Sequence, residues 1–261
     1  MWADNDLTVL AGAAPATSGM LDGYSQGDGS QHVNFIDENG QVHELYRSPD
    51  PAAQWVYNDL TAFAGGTQAV GSALAGYSQG DSSQHVNFID VSGHVHELYR
   101  SPDPAAQWVD DDLTAFANGT PAVINGPLDG YSQGDSSQHV NFIDENGHMH
   151  ELYRSPDPAA QWVDNDLTAL GGAARAYITT LDGYSQKDAS QHVNFIDENR
   201  HVHELYRSPD PAGQWVDNDL TAFTGATQAE GSLDGYSQGD SSQHVNFIDI
   251  NGDVHELYLS G

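Results

Sequence analysis

The chain has 261 residues, with 38 acidic against 7 basic side chains, a formal net charge of -31 and no cysteine. Such a surface repels the dense polyanion of a nucleic acid and an anionic membrane face, and it excludes disulfide stapling and thiol catalysis. No apolar run of about 18 residues is present, so no membrane insertion is expected. No basic-then-apolar leader opens the chain, so no signal peptide of that kind is expected; the sequence leaves the compartment open between the cytoplasm and export by another route.

The first segment with a counterpart elsewhere is Trp2-Ala3-Asp4-Asn5-Asp6-Leu7-Thr8, which matches WVDNDLT inside the chain. A glycine- and alanine-rich stretch follows and reads as a crossing. Then comes a phrase written five times: GYSQ, a few polar residues, QHVNFID, a short turn, and VHELY or MHELY. Its opening glycines are Gly23, Gly76, Gly130, Gly183 and Gly235, at intervals of 53, 54, 53 and 52 residues, and the repeats start near residues 22, 75, 129, 182 and 234. A unit of about 50 residues cannot bury its apolar face alone, so neighbouring units must stack.

Within the phrase, QHVNFID alternates. His32, Asn34 and Ile36 share one face of a strand, and Val33, Phe35 and Asp37 the other. Glu38-Asn39-Gly40 signals a tight turn. In the fourth copy Arg200 replaces that glycine, and arginine tolerates positive φ less well. Val42, Glu44 and Tyr46 share a face of the next strand. SPDPA, with two prolines, reads as a loop. WVDNDLT reads as a weaker outer strand, with its Asp and Thr closing a turn at the strand end. GYSQ supplies a further short strand. Amphipathic-helix periodicity is absent.

Four short strands in each of five units predict an all-β fold, a five-bladed β-propeller of four-stranded blades. A β-prism or trefoil needs three-fold grouping. Four Trp segments follow an ELYR segment, and the fifth lies at the N-terminus. The split unit predicts one closed domain over residues 1–261, with residues 1–8 completing the last blade. An open solenoid needs atypical caps.

The repeat resembles the blades of lectin propellers, in particular the fungal fucose-specific lectins, and more loosely the five-bladed tachylectin type. HVNFIDENGHVHELY followed by QW is similar to that pattern over nearly the whole chain. The resemblance implies sugar contacts from the glutamates Glu44, Glu97, Glu151, Glu204 and Glu256. Where the fucose-specific family carries an arginine on the first of these strands, this chain has Asn34, Asn87, Asn141, Asn194 and Asn246.

A neutral sugar needs hydrogen-bond partners for its hydroxyls and a flat aromatic face for its C–H surface. The candidate sugar-binding residues are therefore these glutamates and asparagines, with Trp55, Trp108, Trp162, Trp215 and Trp2 as platforms. The tryptophans equally suit a bracing role in the core, and the asparagines a bonded amide between blades. HVH, as at His94 and His96, places two imidazoles on one face, but two ligands need a third; no metal or other cofactor is expected. Asp37 and Asn39 lack the oxygen positions of a calcium loop.

Catalysis needs one asymmetric site with separately tuned groups, whereas five near-equal copies suit multivalent binding. The expected function is a non-enzymatic lectin that recognises mono- or oligosaccharides on surface glycoconjugates, as a monomer or small homo-oligomer. The alternatives are a passive or designed self-associating scaffold and a metal-dependent or hydrolytic propeller.

Overall fold

The computed structural model describes residues 4–210 and 212–261, and all their side chains except those of residues 18–20, 72, 178 and 179. It is all-β with short helices, in two compact units, Met1–Leu113 and Thr114–Gly261. The first unit holds α1 (Leu7–Ala11) and sheet 1, formed by β1 (Ala16–Ser25), β2 (Gln31–Asp37), β3 (Val42–Arg47) and β4 (Val56–Asp59). After α2 (Leu60–Ala64) it continues with sheet 2: β5 (Ala69–Ser78), β6 (Gln84–Asp90), β7 (Val95–Arg100) and β8 (Val109–Asp112).

α3 (Leu113–Ala117) spans the boundary. The second unit contains sheet 3, of β9 (Leu128–Ser132), β10 (Gln138–Ile143), β11 (Met149–Arg154) and β12 (Val163–Asp166). After α4 (Leu167–Gly171) comes sheet 4, of β13 (Ala176–Ser185), β14 (Gln191–Asp197), β15 (Val202–Arg207) and β16 (Trp215–Asp219). After α5 (Leu220–Thr224) comes sheet 5, of β17 (Ala229–Ser237), β18 (Gln243–Asp249) and β19 (Val254–Leu259). Every sheet is an antiparallel meander in sequence order.

The meander follows from local chemistry. Asp37 Oδ1 accepts the N–H groups of Asn39 and Gln41, both at 2.9 Å, and Gly40 takes a φ of +77°. That closes the hairpin and sets Asn34 opposite Glu44 on one side and Asp22 on the other. In the fourth copy Arg200 holds φ at +67°. Its guanidinium lies 4.1 Å over the Tyr177 ring and 3.1 Å from Glu230.

The middle strands are buried on both faces because consecutive sheets pack face to face within each unit. Ile36 and Val42 of sheet 1 meet Leu74, Val86, Phe88 and Trp108 of sheet 2. In the second unit Ile143 and Met149 meet Phe195 and Trp215, and Ile196 and Val202 meet Phe247 and Leu257. Each fully buried Phe, Leu or Ile contributes about 1.5–3 kcal/mol.

The glycine of GYSQ serves this packing. A Cβ at Gly76 would collide with the Asn34 amide of the preceding sheet, and Gly183 and Gly235 stand in the same relation to Asn141 and Asn194. The freed space lets each glycine N–H reach a carboxylate, as Gly76 does with Asp22 Oδ2 at 2.6 Å.

The DLT segments differ from the expected turns: each opens a five-residue helix. Asp59 caps α2, accepting the Ala62 N–H at 2.8 Å, and Gly65 ends it in the left-handed region. Thr61 Oγ1 then accepts the Val42 N–H at 2.9 Å, tying the helix to the hairpin. Asp6 caps α1 in the same way. The expectation that residues 1–8 complete the last repeat rests partly on residues 1–3, Trp2 among them, which lie outside the described residues.

Candidate functional site

Each hairpin carries a line of polar side chains. In the first repeat, Ser30 Oγ lies 2.9 Å from His32 Nε2, His32 Nδ1 lies 2.7 Å from Glu44 Oε1, and Asn58 donates to Glu44 Oε2 at 2.8 Å. The same line recurs at Ser83–His85–Glu97, Ser137–His139–Glu151, Ser190–His192–Glu204 and Ser242–His244–Glu256. This is the contact order of a hydrolytic triad. However, Ser30, His32 and Glu44 are 0, 1 and 2 % exposed, and the Tyr24 ring stacks on His32 at 4.6 Å. Ser30 Oγ has no open approach for a substrate, so the line orients Glu44.

Between sheets 1 and 2 lies a cleft of about 500 Å³, lined by Glu44, Tyr46, Asn58, Gln84, Arg100 and Trp108 among others. Ligand pockets commonly span about 300–1,000 Å³. The cleft joins a glutamate of one repeat to the tryptophan of the next. It also contains a group the sequence reading passed over, the arginine that ends ELYR. The signal was present: four of the 7 basic residues stand at this one position, as Arg47, Arg100, Arg154 and Arg207.

Arg100 Nε donates to the Ala106 carbonyl of the proline loop at 3.3 Å. Arg47, Arg154 and Arg207 make the same bond to Ala53, Ala160 and Gly213. Among the described residues no carboxylate lies within 4.0 Å of these guanidinium groups; the Arg or Lys ion pair found there is Arg200–Glu230. In so acidic a chain, guanidinium groups fixed by backbone carbonyls retain donors for a ligand.

The arrangement recurs in the second unit. Burial, then the charges of Asp28 and Glu44, pushes the Tyr46 phenol up, while Arg100 pulls it down. Tyr153 has matching influences from burial, Asp135, Glu151 and Arg207. Asn165 donates to Glu151 Oε2 at 3.1 Å. The cleft between sheets 4 and 5 is smaller, about 230 Å³, with Glu204, Asn218, Phe223, Gln243, Tyr258 and Leu259 in its lining. Leu259 occupies the arginine's place there.

The other expected residues divide. Trp108, Trp162 and Trp215 are each 8 % exposed; Trp108 and Trp215 pack in the cores between sheets, and Trp108 also lines its cleft. Trp55 is half-buried. Asn34, Asn87, Asn141 and Asn194 are fully buried, and their amides have no hydrogen-bond partner among the described residues. They face the inner strands instead of lining a cleft. Asn246 is half-buried. Glu97 is buried, and Glu256 has a half-exposed side chain.

Two of the histidine pairs meet a third group that strand spacing did not reveal: Asp144 approaches His148 and His150 of the HMH segment, and Asp197 approaches His201 and His203 of an HVH segment.

No protein-family model matches the sequence, and neither does any curated protein. Solved structures do share the fold. The BP39L lectin from Burkholderia pseudomallei matches with a TM-score of 0.65 at 13% identity, over 94% of this chain and 67% of its own. The Aleuria aurantia lectin in complex with Fucα1-6GlcNAc matches at 0.59 and 10% identity, over 92% and 77%. An α-L-arabinofuranosidase from Podospora anserina in complex with cellotriose matches at 0.50 and 13%, over 96% and 94%. The chain is thus an all-β protein with the β-propeller fold of fungal and bacterial lectins.

Proposed function

We propose that the chain is a multivalent, non-catalytic carbohydrate-binding protein with up to five similar sites between or on the blades of a five-bladed ring. The observation that carries this reading is the cleft holding Glu44, Arg100 and Trp108. A carboxylate and a guanidinium offer the acceptor and donors that adjacent sugar hydroxyls need, and Tyr46 and Trp108 offer apolar surface.

The five-fold repeat and the split unit support the ring, with the N-terminal segment completing the last blade. Several sites on one chain convert weak single-site affinity into avidity on a glycoconjugate surface. Glu44, Glu97, Glu151, Glu204 and Glu256 act on hydroxyls, each with the tryptophan of the following repeat, which gives Trp2 to Glu204 and Trp55 to Glu256. The asparagines act behind the clefts, as buried spacers against the inner strands. The protein works as a monomer or small homo-oligomer.

The Aleuria lectin holds a fucosylated disaccharide, so fucosides are the first ligands to test. The experiment is a glycan array at high protein concentration, followed by calorimetry with α-methyl-L-fucoside and an assay with an arabinofuranoside substrate. Binding of a defined glycan class without turnover is expected. Silence across the array from a folded chain would sink the lectin reading and favour the scaffold, which the close likeness of the copies supports. Turnover would favour an enzyme.

A further inference from the structure

We propose that the third and fourth repeats each carry a divalent transition-metal site of the zinc type, formed by Asp144, His148 and His150 and by Asp197, His201 and His203. It is independent of the sugar clefts, because these residues surround the hairpin turns and line neither described cleft.

In each group one ligand atom of every residue lies within 4.8 Å of the others. The chemistry is directional. His203 Nδ1 lies 2.9 Å from Asp217 Oδ1, and His201 Nδ1 lies 2.8 Å from Asp219 Oδ2. A carboxylate only accepts, so each imidazole places its proton on Nδ1 and keeps the Nε2 lone pair for an ion. A carboxylate behind each ligating histidine is a usual support of a zinc centre. The third repeat repeats it, with His150 Nδ1 2.8 Å from Asp164 and His148 Nδ1 3.0 Å from Asp166.

The third ligand is equally fixed. Asp197 Oδ1 is held by the Asn199 and His201 N–H groups at 2.9 and 2.7 Å, and Oδ2 faces His203 Nε2 at 3.6 Å. Two ligand atoms on one tetrahedral ion at zinc bond lengths stand about 3.4 Å apart, so little closing is needed. Asp144 and His150 Nε2 are 3.8 Å apart.

The second, independent observation is that His203 Nε2 is buried without a hydrogen-bond partner among the described residues. The carboxylate nearest to it, Asp197 Oδ2 at 3.6 Å, stands beyond hydrogen-bond reach, at about the separation of two ligands on one ion. His201 is one-third exposed, which opens the group to an incoming ion. Two imidazoles and one carboxylate suit zinc over calcium or magnesium, and leave a fourth position for water.

The sequence supplies its own control. The position of His148 and His201 is Gln41 in the first repeat, where the same turn forms. The test titrates the chelator-treated full chain with Zn2+ by calorimetry and with Co2+ by visible absorption. The wild type should show saturable uptake with the d–d bands of a tetrahedral cobalt site. The H148Q/H201Q variant should fold and take up two fewer ions per chain. D217N should weaken the fourth-repeat site by about 10- to 100-fold. Absence of saturable zinc uptake, unchanged stoichiometry in a folded H148Q/H201Q variant, or displacement of zinc by excess Ca2+ would each overturn the proposal.

Discussion

Asp182 of β13 accepts the backbone N–H of Gly235 in β17 at 2.9 Å, joining sheet 4 to sheet 5 through a half-buried carboxylate. Burial, then the charge of Asp129, raises this carboxyl to about 8, against the lowering effect of the Gly235 bond. Between the ordinary carboxylate range and that value the folded chain holds a proton that the unfolded chain has lost. Stability therefore falls as pH rises through this window. His96, His150 and His203 add the same sign. Burial lowers them, yet bonds to Asp110, Asp164 and Asp217 leave them raised, so their contribution is lost as pH rises above the ordinary histidine value. Thermal melts from pH 5 to 8 should show a falling Tm, and D182N, which keeps an acceptor for Gly235, should flatten the fall. A D182N slope equal to wild type would refute the assignment.

Arg100 should matter for ligand and little for folding. Its Nε bond to Ala106 is partly exposed, whereas a charged donor to a sugar hydroxyl is worth about 1.5–3 kcal/mol. We expect R100A to weaken its cleft about 10- to 100-fold, lowering the number of sites seen by calorimetry by one while leaving the urea midpoint nearly unchanged. An unaltered site count would remove Arg100 from the binding surface.

Gly76 and Gly80 make a matched pair. A methyl at Gly76 meets Asn34, Asp22 and Tyr24, while at Gly80 nothing lies within 4 Å. Overpacking a buried contact costs about 1–3 kcal/mol, and G76A should lose that in urea unfolding. G80A should be neutral or gain up to about 1 kcal/mol through the unfolded chain. Equal effects would mean that the sheets do not depend on this close approach.

Thr61 supplies the acceptor for the buried Val42 N–H. Thr61→Val keeps the shape and removes the acceptor, which costs about 1–3 kcal/mol. Hydrogen exchange at Val42 should accelerate with the lost stability. Protection equal to wild type would show that another group satisfies the amide.

The hairpins were legible because their signals are local. Alternation over QHVNFID and the Asp-x-Asn-Gly turn act within a few residues, and the register of Asn34 with Glu44 follows from them. The short helices were not legible as periodicity, since five residues give barely more than one turn. Their caps are in view, but Asp59 reads as turn chemistry and Gly65 as part of a crossing. The cleft was half legible: the glutamates and tryptophans were expected, but Arg100 and the pairing of Glu44 with Trp108 were not. Nor was the burial of Asn34 behind Gly76.

The sequence by itself determined five repeats, antiparallel hairpins and an acidic chain without cysteine chemistry, because period, alternation and composition are properties of the chain alone. Which groups share a cleft, which amides are buried, and which aspartates meet the histidine pairs of the third and fourth repeats were decided only by tertiary structure. These contacts join strands of different hairpins or sheets, and their geometry comes from sheet packing and backbone approach, which no local pattern encodes.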